Sequence, residues 1–117
     1  MSDYHEPANE LSEETRNFTR ALKSLKEEIE AIEWYTQRAE LTRNESLKRI
    51  VSHNRDEEIE HACMTIEWLR RYMPGWDEEL RNCLYKEGDI AAEDHHQQEA
   101  PDPGSNKQED LGIGQIK

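Results

Sequence analysis

The sequence predicts an all-α protein: an antiparallel hairpin of two long helices and a short third helix, with two such hairpins pairing into a four-helix bundle. Three observations carry this prediction. Apolar or semi-apolar residues recur at alternating steps of four and three along two long stretches, and neither stretch contains Gly or Pro. A short polar break, Leu41-Thr42-Arg43-Asn44, separates them, the length that joins antiparallel neighbours. The chain of 117 residues is also only 33% hydrophobic and 36% charged, too thin a core for a hairpin that stands alone, so oligomerisation is expected.

Residues 1–10 (MSDYHEPANE) are polar, hold Pro7 and show no periodicity, and read as a flexible lead-in. Ser12 supplies a helix cap, with Glu13 and Glu14 at the positive end of the helix dipole. Leu11, Thr15, Phe18, Leu22, Leu25, Ile29 and Ile32 then form the stripe of the first helix, which runs to about Leu41. The second helix runs from Glu45 to Tyr72, where Pro74-Gly75 stops it. A third is expected over Trp76–Lys86, with Leu80, Leu84 and Tyr85 on one side and Gly88 beyond. The helical domain therefore spans residues 11–90. Residues 91–110 read as a disordered acidic linker with Pro, Gly and Ser, and residues 111–117 (LGIGQIK) differ from both.

The seam of the second helix holds Leu47, Val51, Asn54, Glu58, His61, Thr65, Trp68 and Tyr72. Its middle is polar where Leu, Ile or Val would be ordinary. Burying such groups without partners costs on the order of 2–7 kcal/mol each. Glu58-x-x-His61 puts a carboxylate and an imidazole one turn apart on one face, and a transition metal is their natural shared partner. An interhelical hydrogen-bonded pair without metal is the plainer alternative. Folding the chain at Arg43 sets Glu28, fifteen residues before it, level with Glu58, fifteen after. Both then lie roughly 22 Å from the turn. One Glu from each of two helices and a Glu-x-x-His from each of two others is the ligand set of di-iron carboxylate bundles. This chain carries one copy of each half, so two chains about a two-fold axis would complete the site. Oxygen-rich, imidazole-poor ligation suits iron passing from Fe(II) to Fe(III) better than zinc.

Charge and composition exclude other classes. The net charge of −12 argues against nucleic acid and anionic membranes as partners and suits a protein that draws cations. No apolar run reaches membrane length, and no signal sequence opens the chain. Cys63 and Cys83 have no motif spacing, which suits a reducing cytoplasmic setting, and Cys63 is expected to be buried as a small apolar residue.

The segments EEIEAIEWYTQR (27–38) and HNRDEEIEHACMTIEWLRR (53–71) resemble the encapsulated ferritins, cargo proteins of encapsulin nanocompartments, over roughly residues 5–96. LGIGQIK resembles their shell-targeting peptide. The resemblance implies a ring-like decamer of dimers inside an encapsulin shell. It also implies a ferroxidase centre at each dimer interface that oxidises Fe(II) with dioxygen, two irons per interface. It assigns Glu28, Glu58 and His61 as iron ligands and sets Trp34 and Tyr35 beside the centre. Glu27 and Glu30 would guide iron in, while His53, Glu57 and Glu60 would form a peripheral metal group open also to Ca or Mg. For those five residues a solvated acidic face is the competing reading, and for Trp34 and Tyr35 it is core packing. His95-His96 lies in the linker with no assigned role. Leu111, Ile113 and Ile116, on a Gly-punctuated strand, can lie in a groove on the shell protein. A non-catalytic, metal-buffering helical oligomer and a metal-free cargo adaptor remain as alternatives.

Overall fold

The computed structural model describes residues 4–92, so the linker from residue 93 on, His95-His96 and the terminal Leu111, Ile113 and Ile116 lie outside the described residues. Among the described residues there is no strand, and the all-α prediction holds. The order is a 3-10 turn at Ala8–Glu10, α1 at Glu13–Leu41, α2 at Glu45–Tyr72 and α3 at Trp76–Cys83. Among the described residues, no helix is long and apolar enough to cross a membrane.

Local chemistry sets these boundaries. Ser12 Oγ accepts from the Thr15 backbone N–H at 3.0 Å and caps α1. Within the expected loose lead-in, Ala8–Glu10 forms its 3-10 turn, and Arg16 donates to the Ala8 carbonyl at 2.8 Å. Asn44 caps α2 by accepting from the Leu47 N–H at 2.9 Å. Asn directly before the first residue of a helix is the sequence signal for such a cap. The Met73 N–H closes α2 on the Leu69 carbonyl at 2.9 Å.

α1 and α2 form the hairpin, within a unit that ends at Pro74. Its core is small: Leu25, Ala39, Val51, Ala62 and Leu69 are the buried hydrophobic residues among those described. On α2 the inward stripe runs Val51, Arg55, Glu58, Ala62, Thr65 and Leu69. This corrects the expected seam. Val51, Glu58 and Thr65 keep their places, but Ala62 and Leu69 are buried while His61 and Tyr72 are exposed. On α1, Ile29 is 54% exposed rather than inside, and half-buried Glu28 and Tyr35 border buried Leu25 and Ala39. Cys63 is exposed, not buried. Phe18 meets Trp68 edge-on at 6.2 Å, and Trp68 lies 5.0 Å from Tyr72. Ile29, Trp34, Leu47, Ile50, Ile59 and Met64 stand exposed on the hairpin. So many apolar side chains on so short a hairpin mark surface meant for a partner.

α3 belongs to a second unit that begins at Gly75. Gly75 has φ +102°, a conformation that a residue with a Cβ adopts only under strain, and its carbonyl accepts from the Glu79 N–H. The helix ends at Cys83, short of the expected Lys86. Leu84 is extended and Tyr85 has φ +58°, and both are exposed, so another turn would gain no burial.

Candidate metal centre

The candidate centre is a groove on the hairpin of about 300 Å³, lined by Ser24, Glu27, Glu28, Ala31, Glu58 and His61. α1 supplies Glu28 from beside its buried stripe, one turn after Leu25, and α2 supplies Glu58 from its inward stripe and His61 from the edge of that stripe. The level pairing expected from equal distances to Arg43 thus brings Glu28 to the same groove as Glu58 and His61. A second, larger groove of about 500 Å³ shares Ser24, Glu28 and His61 with the first and continues past Met64 and Thr65 to Trp68.

Within the site, His61 Nδ1 lies 3.5 Å from Glu58 Oε1, with the two side chains 46% and 26% exposed. At that separation the pair is a loose one-turn contact, and both groups face the groove. Glu28 is held differently. Its carboxylate accepts from the Thr65 hydroxyl, at 3.0 Å to Oε1 and 3.3 Å to Oε2. This contact joins the two helices across the hairpin. In the sequence Thr65 is one more seam position. Nothing in its spacing marked it as a partner of Glu28, because the contact depends on how α1 and α2 cross.

The other expected site residues divide. Glu27 lines the groove, whereas Glu30 and Glu60 are exposed. His53 Nε2 pairs with Glu57 Oε2 at 3.1 Å, one turn apart and in solvent. The flank on α2 therefore exists as a pair rather than as a cluster. Trp34 is 48% exposed and Tyr35 half-buried, and the Arg38 guanidinium lies 5.9 Å from the Trp34 ring and 5.4 Å from the Tyr35 ring.

The donor set suits a hard cation in character: three carboxylates, Glu27, Glu28 and Glu58, and the His61 imidazole line one groove. Its number falls short in one chain. Among the described residues, no three His, Cys, Asp or Glu side chains gather closely enough to hold a metal ion. Each hairpin offers a paired Glu58 and His61 and, separately tethered, Glu28.

Known proteins share this chain's pattern. Residues 3–87 match the EncFtn-like family. The chain is 50% identical over 117 residues to a ferritin-like protein of Thermotoga maritima, across 99% of this chain and 100% of that one. It is 52% identical over 88 residues to an encapsulated ferritin-like protein of Rhodospirillum rubrum, across 75% of this chain and 63% of the relative. A crystal structure of a protein from Nitrosomonas europaea superposes with a TM-score of 0.75 at 48% identity, covering 78% of this chain and 100% of that one. The helical hairpin and these matches agree, and the chain belongs to the EncFtn-like family.

Proposed function

We propose that this protein is a ferroxidase that takes Fe(II) as substrate at a two-iron site completed by a second copy of the chain. The observation that carries the reading is the groove: Glu28, Glu58 and His61 line one surface of the hairpin, yet the described residues of one chain assemble no full ligand group. A two-fold axis beside the groove doubles the donors to four carboxylates and two imidazoles, the set that di-iron bundles use. Glu58 and His61 would bind one ferrous ion from each side, and Glu28 would bridge or cap. The names of the relatives support the iron chemistry and a place inside a shell.

The reaction removes one electron from each of two ferrous ions and passes both to dioxygen. With two protons the product is hydrogen peroxide; four ferrous ions per dioxygen would give water instead. Tyr35, half-buried near the groove-bearing stretch of α1 and under the Arg38 guanidinium, can donate a hydrogen bond or relay an electron. Glu27 on the groove wall and exposed Glu30 would draw ferrous ions inward, and the His53–Glu57 pair with Glu60 would hold ferrous ion, Ca or Mg weakly outside. The exposed apolar faces support assembly into a dimer and a ring-like decamer. Leu111, Ile113 and Ile116 would dock the assembly inside an encapsulin shell in the cytoplasm; the Thermotoga maritima match spans 99% of this chain.

Oxygen-electrode and absorbance traces during aerobic Fe(II) addition test the reading. Glu28→Ala and His61→Ala should each abolish oxygen-dependent oxidation, and normal turnover in both would overturn the assignment. The consumed ratio of oxygen to iron separates peroxide from water as product. The His53–Glu57 pair, solvated and one-sided, favours a second reading in which the oligomer only buffers metal. That reading predicts metal uptake with no oxygen consumption.

A further inference from the structure

We propose that Thr65 is a positioning residue for the iron site, fixing through its hydroxyl the direction of the Glu28 carboxylate, which borders both grooves. This inference rests on the ferroxidase reading above and extends it to a side chain outside the ligand set. The Thr65 hydroxyl lies within hydrogen-bond reach of three oxygens: Glu28 Oε1 at 3.0 Å, Glu28 Oε2 at 3.3 Å and the His61 backbone carbonyl at 3.2 Å. The last contact is available to any helical Thr, whose hydroxyl can always turn back to the carbonyl four residues earlier. The first two are particular to this fold, because they reach across the hairpin to a residue 37 positions away.

The chemistry favours the carboxylate as acceptor. A hydrogen bond to an ionised oxygen is shorter and roughly twice as strong as one between neutral groups. The hydroxyl has one proton, and a carboxylate offers about four lone-pair positions. Thr65 therefore fixes the direction of the Glu28 side chain and leaves acceptor sites open for cations. The Thr65 carbon frame is itself anchored on the inward stripe of α2, between Ala62 and Leu69. Without the tether, Glu28 is a long, half-buried side chain with freedom in three torsions, and ordering it would fall on the binding step. With its proton given to Glu28, the hydroxyl oxygen still lies 3.2 Å from the His61 backbone carbonyl, one turn back on α2.

Co(II) serves as the probe, since its visible absorption reports ligand geometry without turnover. The purified oligomer of wild type, Thr65→Val, Thr65→Ser and Glu28→Ala is titrated with Co(II), and its mass is measured in each case. Thr65→Val, nearly the same shape without the hydroxyl, should weaken Co(II) binding about 10–100-fold and alter the absorption band, as loss of groups that orient metal ligands does. Thr65→Ser should restore both. Wild-type binding and spectrum in Thr65→Val would overturn the proposal, as would a Thr65→Ser protein that binds as weakly as Thr65→Val. If Thr65→Val fails to assemble, the Thr65→Ser result still decides. Loss of Co(II) binding in Glu28→Ala alone would refute the role of Thr65 and leave the iron site standing. Equal binding by wild type and Glu28→Ala would remove both.

Discussion

A chain that carries half of a site leaves a quantitative signature when active and inactive copies are mixed. His61→Ala removes the imidazole that lines the groove beside Glu58 and leaves the buried residues of α2, Val51, Ala62 and Leu69, untouched. Co-expressed with wild type, it should enter the same oligomers, because His61 is 46% exposed in the hairpin and is not one of its buried residues. If each site needs both members of a symmetric pair, the share of intact sites is the square of the wild-type fraction. An equal mixture then keeps about one quarter of the oxidation rate, where a self-sufficient chain would keep about one half. The lack of any three-ligand group within the described residues of one chain is the structural basis for the square. The assay is the initial rate of oxygen-dependent Fe(II) oxidation at several mixing ratios, with subunit composition measured by intact mass. A straight line through those ratios would refute the shared site, since it means that each copy acts alone.

Three further outcomes follow from the fold. Leu69→Ala, which empties the one fully buried large side chain among the described residues, should cost about 3 kcal/mol of stability in denaturant titrations; a loss below about 1 kcal/mol would mean that the core of the hairpin lies elsewhere. Glu67 is held at about 2, below its ordinary 4.5, by hydrogen bonds from Arg70 and then Arg71. A depressed carboxylate stabilises the fold above its unfolded value and ceases to as pH falls, so the melting-temperature gap between wild type and Glu67→Gln should close between pH 4.5 and about 2. A gap that stays constant over that window would contradict the ion pairs. Deleting residues 111–117 should leave Fe(II) oxidation intact and abolish loading into co-expressed shells, and a truncated protein that still co-purifies with shells would remove the targeting role.

What the sequence determined by itself were the features that depend on near neighbours. Ser12 begins α1, Pro74-Gly75 follows the end of α2, and the Leu41–Asn44 break makes a hairpin, because caps and turns are built from residues a few positions apart. The shared level of Glu28 and Glu58 was legible too, since two helices of constant rise from one turn must stay in step. Only the tertiary structure decided which of two adjacent stripes turned inward. A four-three repeat fits both the stripe through His61 and Trp68 and the one through Ala62 and Leu69, and the crossing of the helices chose the second, leaving Ile29 and His61 outward. The same crossing made Thr65 the partner of Glu28, a contact between residues too far apart in the chain for periodicity to pair them.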